Sequence, residues 1–316
     1  MSYLHWLAGI SVAFVVLERL FPWRQGQAVL RPGWLRDLGF LALNGHFFSL
    51  LTAALTGAAA LWATKALHSL GLRLEGSPVP RWPFLAQFLV FLILADFLQW
   101  CIHNLLHRVP WLWTFHKVHH TITTMDWVGN WRFHWMEIVV YKSLQWLPLA
   151  WLDASSEAIF AVAVVTTVWG DFNHANLDVG LGPLGYVLNN PRMHLWHHDQ
   201  SSEGGTAKNF GIVFSLWDYL FGTAVDERTP APARFGLDSV KPRSLWSTLA
   251  DPFTMDAGAY NTYATAAITP GTISRSDHAA VMAPTIAVAA ASGFQRRRTA
   301  AQASRNDAGR SGATNA

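Results

Sequence analysis

The sequence predicts an all-α fold, an integral membrane helical bundle that carries a histidine-rich cap. Of the 316 residues, 51% are hydrophobic and only 14% are charged, whereas soluble domains carry about 25% charged residues. The 17 tryptophans point the same way, because indole rings concentrate at the membrane–water boundary. The 14 histidines are clustered, and five of them fall within residues 103–120. Apolar spans together with polar clusters favour a bundle with a site at one end.

Three apolar segments are predicted to be membrane-spanning helices, residues 3–21, 38–63 and 84–102. Each is close to the roughly 20 apolar residues that a helix needs to cross a bilayer. The first has no basic residues ahead of its apolar core and no small-residue cleavage site. We therefore expect it to be a retained helix and not a removed signal peptide.

Two shorter apolar segments follow at residues 136–152 and 157–172. They are short for full spans, so we expect either a helical hairpin that dips into the membrane or two crossings. The loop at 22–37 and the segments that flank the histidines are basic, and basic loops stay in the cytoplasm. With the N-terminus outside, all the histidine clusters lie on the cytoplasmic face, although the loop at 64–83, which is then outside, is basic too.

Composition and the positions of the histidines divide the chain into three predicted parts: N-terminal transmembrane helices and loops at 1–83, a histidine-bearing domain at 84–252 and a low-complexity tail at 253–316. The tail is dominated by Ala, Thr, Ser, Gly and Arg and is predicted to be disordered. The net charge of +3, without a basic stripe between stacking aromatic residues, argues against nucleic-acid binding. Because Cys101 is the only cysteine, a disulfide framework and a cysteine-based metal site are excluded.

Eight histidines form three short motifs, HxxxH once and HxxHH twice. The motifs are His103 and His107; His116, His119 and His120; and His194, His197 and His198. Residues three or four apart share one face of a helix, so each motif is expected to present two or three imidazoles to one point. An imidazole near a membrane is costly unless it is paired or ligated. The motifs therefore predict a metal centre in preference to hydrogen-bonded core histidines.

The number of ligands limits the kind of metal site. Neutral imidazole nitrogens suit iron, zinc, copper or nickel, and eight of them exceed what one tetrahedral or octahedral ion accepts. Two ions with about four histidines each would keep open positions, which O₂ needs on a redox metal, whereas a structural zinc site is closed by four ligands. We therefore expect a cytoplasmic-side di-metal cap, in which ligand type alone does not separate iron from zinc.

The order and spacing of these motifs resemble those of the fatty acid hydroxylase/sterol desaturase superfamily, whose members are integral-membrane non-haem di-iron oxygenases. Residues 132–137 (RFHWME) are similar to the Arg-x-His-Pro-x-Glu stretch of that family, with tryptophan in place of the proline. Residues 172–176 (FNHAN) resemble the segment before its last cluster, which usually adds a histidine. Residues 209–211 (NFG) and 217–223 (WDYLFGT) resemble the stretch after that cluster. The resemblance covers residues 85–225.

The resemblance implies that the eight motif histidines are iron ligands and that His174 is a ninth. His134 is a further candidate ligand; in the alternative, Arg132 and Glu137 beside it form an ion pair that supports the site. A metal-bound imidazole normally donates its second N–H to a carboxylate or carbonyl group. Candidates for such supporting positions are Glu137, Asp96, Asp171, Asp199 and Asn209. The remaining histidines, His5, His46, His68 and His278, are not expected to be ligands.

The resemblance also implies a reaction, in which two iron ions use O₂ to hydroxylate or desaturate an unactivated C–H bond of a membrane lipid such as a sterol or a fatty acyl chain. Electrons would come from a separate donor protein, because the sequence has no cysteine-rich cluster, no dinucleotide fingerprint and no obvious haem or flavin domain. A chain rich in Ala, Arg and Gly, without a fused donor domain, favours a bacterial inner membrane over the endoplasmic reticulum.

Other classes of function stay open at this point. A membrane haem-binding electron-transfer protein would need histidine pairs that face each other within spans, whereas these motifs are expected beyond the helix ends and contain adjacent histidines. A zinc hydrolase would use an HExxH motif, which does not occur in the sequence. A zinc or other metal-transport protein would place its ligands along a pore, and these clusters are expected on one side.

Overall fold

The structure is a computed structural model, and it describes residues 3–71, 77–150, 152–200, 207–237 and 244–254. Helices dominate these residues, and β pairing among them is limited to two isolated bridges. The predicted all-α class is confirmed. In chain order the α-helices are α1 Tyr3–Leu20, α2 Trp34–Ala42, α3 Ser49–Ser69, α4 Phe84–Arg108, α5 Pro110–His120, α6 Trp135–Ala150, α7 Ser156–His174, α8 Pro191–His197, α9 Leu216–Phe221 and α10 Leu245–Thr254.

Three helical stretches are long and apolar enough to cross a membrane, and they correspond to the three predicted spans. They are α1, the α2–α3 segment from Trp34 to Ala63, and α4. The second begins earlier than predicted, because α2 continues into α3 through the π-helical turn Leu43–Phe48. The two shorter apolar segments form α6 and α7, which both pack against α4. Whether α6 and α7 cross the membrane, and which face carries the histidines, stay predictions.

The central helix of the bundle is α4. Its buried Phe91 and Ala95 pack with Leu149 of α6 and Val162 of α7 in one apolar cluster. A second cluster, which contains Phe14 of α1, joins α1 to α7. Because α6 and α7 both pack against α4, and α1 packs against α7, the ends of these helices are brought together at the histidine-bearing side of the bundle.

A proline separates the first two histidine motifs. The residue before a proline disfavours the α conformation, and Val109 is extended, with φ −95° and ψ 112°, so α4 ends at Arg108. Pro110 then occupies the first turn of α5, where its missing N–H leaves no helical hydrogen bond unmade. The chain reverses over a single residue and folds the α5 motif back beside the α4 motif.

The histidine motifs lie within the last turns of α4, α5 and α8. The expectation that the motifs lie beyond the ends of the membrane-spanning helices is therefore wrong for His103 and His107, which belong to the candidate span α4. His198 lies just past its helix, as the C-cap of α8. The helices continue because nothing in the motifs disfavours helix, and each ends directly afterwards. Helix C-termini carry partial negative charge, which favours a bound cation nearby.

The π-helical turn between α2 and α3 attaches the second span to the histidine-bearing region. In this turn Asn44 donates from Nδ2 to the carbonyl oxygens of Trp131 and Phe133, both over 2.9 Å. A Cβ on Gly45 would lie only 3.0 Å from the Trp131 ring, so a residue without a side chain allows this close approach. Extra residues in π-turns re-aim side chains and are frequent at functional sites.

The predicted tail lies almost wholly outside the described residues. Helix α10 ends at Thr254 and contains its first two positions, so the predicted disorder of 253–316 stays a prediction. His278 is also outside the described residues. The three-part division of the chain likewise stays a prediction.

Candidate metal centre

Nine buried histidines form two groups whose ring nitrogens converge. The first histidine group consists of His103, His107, His116, His120 and His197, and the second of His119, His174, His194 and His198. Within each group the candidate ligand atoms all lie within 4.8 Å of one another. The structure thus brings together all eight motif histidines and His174, in two sets of five and four.

The groups do not coincide with the sequence motifs, and the expectation that each motif points to one place is wrong for both triples. On α5, His116 and His120 belong to the first group, whereas His119 belongs to the second. On α8, His197 belongs to the first group, and His194 and His198 belong to the second. The reason is helical geometry: residues four apart share a face, whereas neighbouring residues point about 100° apart. Each triple therefore serves two centres.

The nitrogen–nitrogen distances in both groups suit a shared cation. In the first group, Nε2 of His116 lies 3.1 Å from Nε2 of His103 and 3.2 Å from Nε2 of His120. In the second, Nε2 of His174 lies 3.0, 3.1 and 3.2 Å from the Nε2 atoms of His119, His198 and His194. Two nitrogens that are each about 2.1 Å from one ion lie about 3.0 to 3.4 Å apart.

Hydrogen bonds to the other ring nitrogen show that these atoms do not simply bond to each other. His174 Nδ1 lies 2.8 Å from the Gly170 carbonyl oxygen, which can only accept, so the proton is on Nδ1 and Nε2 carries a lone pair. A neutral imidazole has one N–H. The lone pair on His174 Nε2 can accept a hydrogen bond from at most one of the three neighbouring Nε2 atoms. A cation among these nitrogens removes the conflict, and the residues present therefore fit a metal.

The first group is oriented in the same way. His103 donates from Nδ1 to the Phe210 carbonyl oxygen over 2.8 Å, and His197 donates from Nδ1 to the Lys208 carbonyl oxygen over 2.9 Å. Their Nε2 atoms therefore point inward as lone pairs. Both nitrogens of His107 and Nε2 of His197 are buried without a hydrogen-bond partner among the described residues. Leaving a buried polar atom unpaired costs about 1 to 3 kcal/mol, which metal ligation would offset.

The histidines of α5 and α8 are held neutral. Burial lowers the pKa of each of them well below the usual value of 6.5, and the neighbouring imidazoles lower it further, since a second positive charge nearby is unfavourable. The residues concerned are His116, His119, His120, His194, His197 and His198. Neutral imidazole is the form that binds metal, so the site is in its ligating state at neutral pH.

Glu137, one of the predicted supporting carboxylates, hydrogen-bonds to a histidine of the first group. Its Oε1 accepts from Nδ1 of His116 over 2.8 Å, and its Oε2 is buried without a hydrogen-bond partner among the described residues. The alternative ion pair between Arg132 and Glu137 is not formed. Arg132 instead donates to Asp37 of α2 over 2.7 Å.

His134 lies outside both groups. Its Nδ1 accepts from the Met136 backbone N–H over 3.1 Å, and its Nε2 donates to the Leu249 carbonyl oxygen over 2.7 Å. Both ring nitrogens are therefore used by the backbone, and the side chain ties the start of α6 to α10. The structure leaves this histidine no lone pair for a metal.

Two other supporting candidates, Asp96 and Asn209, hydrogen-bond to backbone groups near the histidines. Asp96 accepts from the N–H groups of Val213 and Phe214, at 2.8 and 3.1 Å, and so holds the loop whose Phe210 carbonyl orients His103. Asn209 adopts a left-handed backbone, with φ 52°, and donates to the Met193 carbonyl oxygen over 2.6 Å.

Two further supporting candidates, Asp171 and Asp199, have other contacts in the described structure. Asp171, on α7, accepts from Asn130 Nδ2 over 2.8 Å, which fixes the loop before α6. Asp199 pairs through its backbone with Phe235. His5 and His46 belong to neither group, and the expectation that they are not ligands stays a prediction.

Sequence reasoning missed two buried acids that hold the site together. Asp37 accepts from Arg31 over 2.8 Å and from Arg132. Asp218 accepts from the backbone N–H groups of Phe210 and Gly211 over 2.9 and 2.8 Å. A signal for Asp37 was present, since an acid in an apolar helix is costly unless it is paired.

A cavity of about 140 Å³ lies beside both groups. His103 and His116 of the first group and His119, His174 and His194 of the second form part of its wall. Further lining residues come from α1, α4, α6 and α7, from the π-helical turn and from the loops at 130–133 and 212. A molecule in this cavity would contact both candidate metal sites from the side of the membrane helices.

Comparison with known proteins agrees with this site. Residues 88–223 match the fatty acid hydroxylase family. The chain is 29% identical over 245 residues to the ornithine lipid hydroxylase OlsE of Rhizobium tropici, covering 77% of this chain and 73% of that protein. It is 28% identical over 153 residues to an alkylglycerol monooxygenase of Caenorhabditis elegans, and 26% identical over 150 residues to methylsterol monooxygenase 1 of Rattus norvegicus.

These last two matches are partial. They cover 46% of this chain in each case, with 28% of the alkylglycerol monooxygenase and 50% of the methylsterol monooxygenase. No solved structure matches the chain. The family match at residues 88–223 includes all nine histidines of the two groups.

Proposed function

We propose that this chain, whose residues 88–223 match the fatty acid hydroxylase family, is a membrane-bound di-iron oxygenase of the fatty acid hydroxylase/sterol desaturase superfamily that oxidises an unactivated C–H bond of a membrane lipid. The relatives are lipid hydroxylases and monooxygenases, which makes this chain a lipid-oxidising membrane enzyme in general terms. The observation that carries the finer proposal is the pair of histidine groups, with lone pairs facing lone pairs, beside one cavity.

In this proposal each histidine group holds one iron ion. The first group would offer five nitrogens to its ion and the second group four. When bound, the two ions would supply O₂ activation and the oxidation of the C–H bond. The fit between nitrogen spacing and metal–nitrogen distance supports a metal at both places.

The protein's own contribution is to orient the ligands and to keep water away. Carbonyl oxygens of Phe210, Lys208 and Gly170 each hold one histidine with its lone pair inward. Glu137 does the same for His116. All nine histidines are at most 5% exposed, so the ligand nitrogens are screened from bulk water.

The remaining parts of the proposal concern the surroundings of the enzyme. Hydroxylation is favoured over desaturation, because the relatives are named as hydroxylases and monooxygenases. A separate protein supplies the electrons and O₂ is the co-substrate. The histidines lie on the cytoplasmic face of a bacterial inner membrane, or of the endoplasmic reticulum in a eukaryote.

Metal content and lipid products test the proposal together. The full chain is produced in iron-supplemented cells with an electron-donor system, iron per chain is quantified, and membrane lipids are profiled by mass spectrometry. We expect close to two irons per chain and a lipid that gains one oxygen, or loses two hydrogens, only with the wild type. His119→Ala and His197→Ala should each hold fewer than two irons per chain and form no oxidised lipid. His46→Ala, which lies outside both groups, should match the wild type in both measurements.

The alternatives give different outcomes of the same experiment. A haem absorption band would indicate a haem-binding electron-transfer protein. Stoichiometric zinc without iron in well-folded protein, together with unchanged lipids, would indicate a zinc-binding or metal-transport role. Either result would overturn the di-iron oxygenase.

A further inference from the structure

The cavity beside the histidines is more polar than a bare hydrocarbon chain requires. Besides the histidines its wall includes Gln99, Glu137, Tyr141 and Lys142. Amide, hydroxyl and charged groups that line a cavity of a membrane bundle are costly unless they meet polar partners. The lining therefore indicates that a polar part of the lipid enters the cavity.

Lys142 contributes a positively charged side chain to the cavity wall. Among the residues that line the described cavity, it is the only lysine or arginine. It lies on α6 and is half-buried, with Nζ 5.2 Å from the centre of the Tyr141 ring. In the described part of the chain, no carboxylate lies within ion-pair distance of its ammonium group.

Two other buried cations, in contrast to Lys142, have carboxylate partners. Arg31 and Arg132 are both paired with Asp37, as is usual for charges in an apolar setting. Lys142 faces open space instead, which leaves its counter-charge to a ligand. An ionisable side chain inside a membrane bundle marks a binding or transfer site by default.

We propose that Lys142 binds an anionic oxygen, of a carboxylate or a phosphate, on the lipid substrate and so anchors that lipid beside the histidine groups. This rests on the proposed function, since it names the substrate class of the same site. Lys142 is the anchoring residue, and Tyr141 and Gln99, which line the same cavity, offer further polar contacts.

The anchor limits where the lipid is oxidised. Lys142 lies five residues beyond Glu137 on α6, and Glu137 contacts His116. Five helical residues span about 7.5 Å. An anionic group held by Lys142 therefore places the bonds next to it, and not the far end of an acyl chain, beside the candidate metals.

Direct binding tests the anchor without turnover. The purified full-length protein is titrated with tritiated stearic acid and methyl stearate, and with lysophosphatidic acid and monoacylglycerol. Each pair differs by one anionic group. We expect the wild type to bind the anionic member of at least one pair ten-fold or more tightly than the neutral member. The pair that discriminates identifies carboxylate or phosphate.

Substitutions of Lys142 and of a control lysine test which residue causes the preference for the anionic lipid. Lys142→Met should abolish it, Lys142→Arg should keep most of it, and Lys65→Met should leave it unchanged, since Lys65 is exposed on α3 outside the cavity. Equal affinity for both members of each pair in the wild type would overturn the proposal. So would an unchanged preference in Lys142→Met.

Iron content and lipid oxidation, measured in parallel, separate this inference from the proposed function. Lys142→Met should keep wild-type iron and raise the KM for the anionic lipid ten-fold or more. Loss of iron in that variant would assign Lys142 to the integrity of the site and overturn the anchor. A wild type that discriminates through Lys142 but holds no iron and oxidises no lipid would overturn the di-iron function and leave the anionic site standing.

Discussion

His116 donates a hydrogen bond from Nδ1 to Oε1 of Glu137 over 2.8 Å, and the two side chains are only 2% and 3% exposed. This contact fixes the ring so that Nε2 points at the first histidine group. Glu137 comes from α6 and His116 from α5, so one hydrogen bond joins α6 to the candidate metal site. Such supporting carboxylates raise the basicity of the ligand and fix its orientation.

Replacing this carboxylate is expected to weaken metal binding. Glu137→Ala removes the acceptor and frees the His116 ring to turn, and loss of such a partner typically costs about 10- to 100-fold in metal affinity or activity. Iron per chain after dialysis against a graded series of chelator concentrations measures the effect. Glu157→Ala, on the exposed first turn of α7, is the matched control. Wild-type iron retention in Glu137→Ala would contradict a supporting role.

The division of each histidine triple between two groups gives a stoichiometric prediction. His119 and His120 are adjacent but belong to different groups, whereas His119 and His198 belong to the same group. The double variant His119→Ala/His120→Ala should therefore lose both ions, and His119→Ala/His198→Ala should lose one and keep the other. Metal analysis of the purified variants decides this. Equal metal loss in the two double variants would argue against two separate centres.

The buried pair of Arg132 and Asp37 is expected to matter for stability. Asp37 is fully buried and Arg132 is 2% exposed, and breaking a buried pair by removing one partner costs about 3 to 5 kcal/mol. Arg132→Met should lower the thermal unfolding temperature in detergent markedly. The control is Arg192→Met, whose pair with Asp178 is exposed and is expected to contribute at most about 1 kcal/mol. A similar small change in both variants would show that the buried pair is dispensable.

Gly211 is expected to tolerate no side chain. A Cβ at this position would overlap the backbone carbonyl oxygen of Phe214, and the neighbouring Phe210 carbonyl is the acceptor for His103. Gly211→Ala should distort this loop and lower both stability and metal content. Thermal unfolding and iron content are measured beside Gly9→Ala, whose added Cβ meets nothing within 4 Å. Wild-type behaviour of Gly211→Ala would mean that the loop shifts without disturbing His103.

Much of the architecture could be predicted from local patterns. Apolar runs of sufficient length predicted the three candidate spans, and the spacing of the motifs identified the eight histidines that the structure brings together. His174 was predicted as a ninth from the resemblance alone, and it lies at the centre of the second group. Their role as iron ligands stays a proposal.

Other features depend on contacts between distant parts of the chain. The sequence around His134 suggested a metal ligand. In the structure its Nε2 hydrogen-bonds to a backbone carbonyl of α10, more than a hundred residues later in the chain. Arg132 was a candidate partner for Glu137, but in the structure it donates to Asp37 of α2. Pattern and spacing carry no information about which distant group reaches a side chain first.

The sequence by itself determined the kind of molecule: an all-α membrane chain with histidines at helical spacing, because hydrophobic length and residue periodicity act locally. Only the tertiary structure decided how those histidines are shared. The packing of α4, α5, α7 and α8 divides nine nitrogen donors into sets of five and four, and it places Lys142 on the wall of the same cavity. Ligand grouping depends on the relative orientation of helices, and that is set by which buried side chains meet across the bundle.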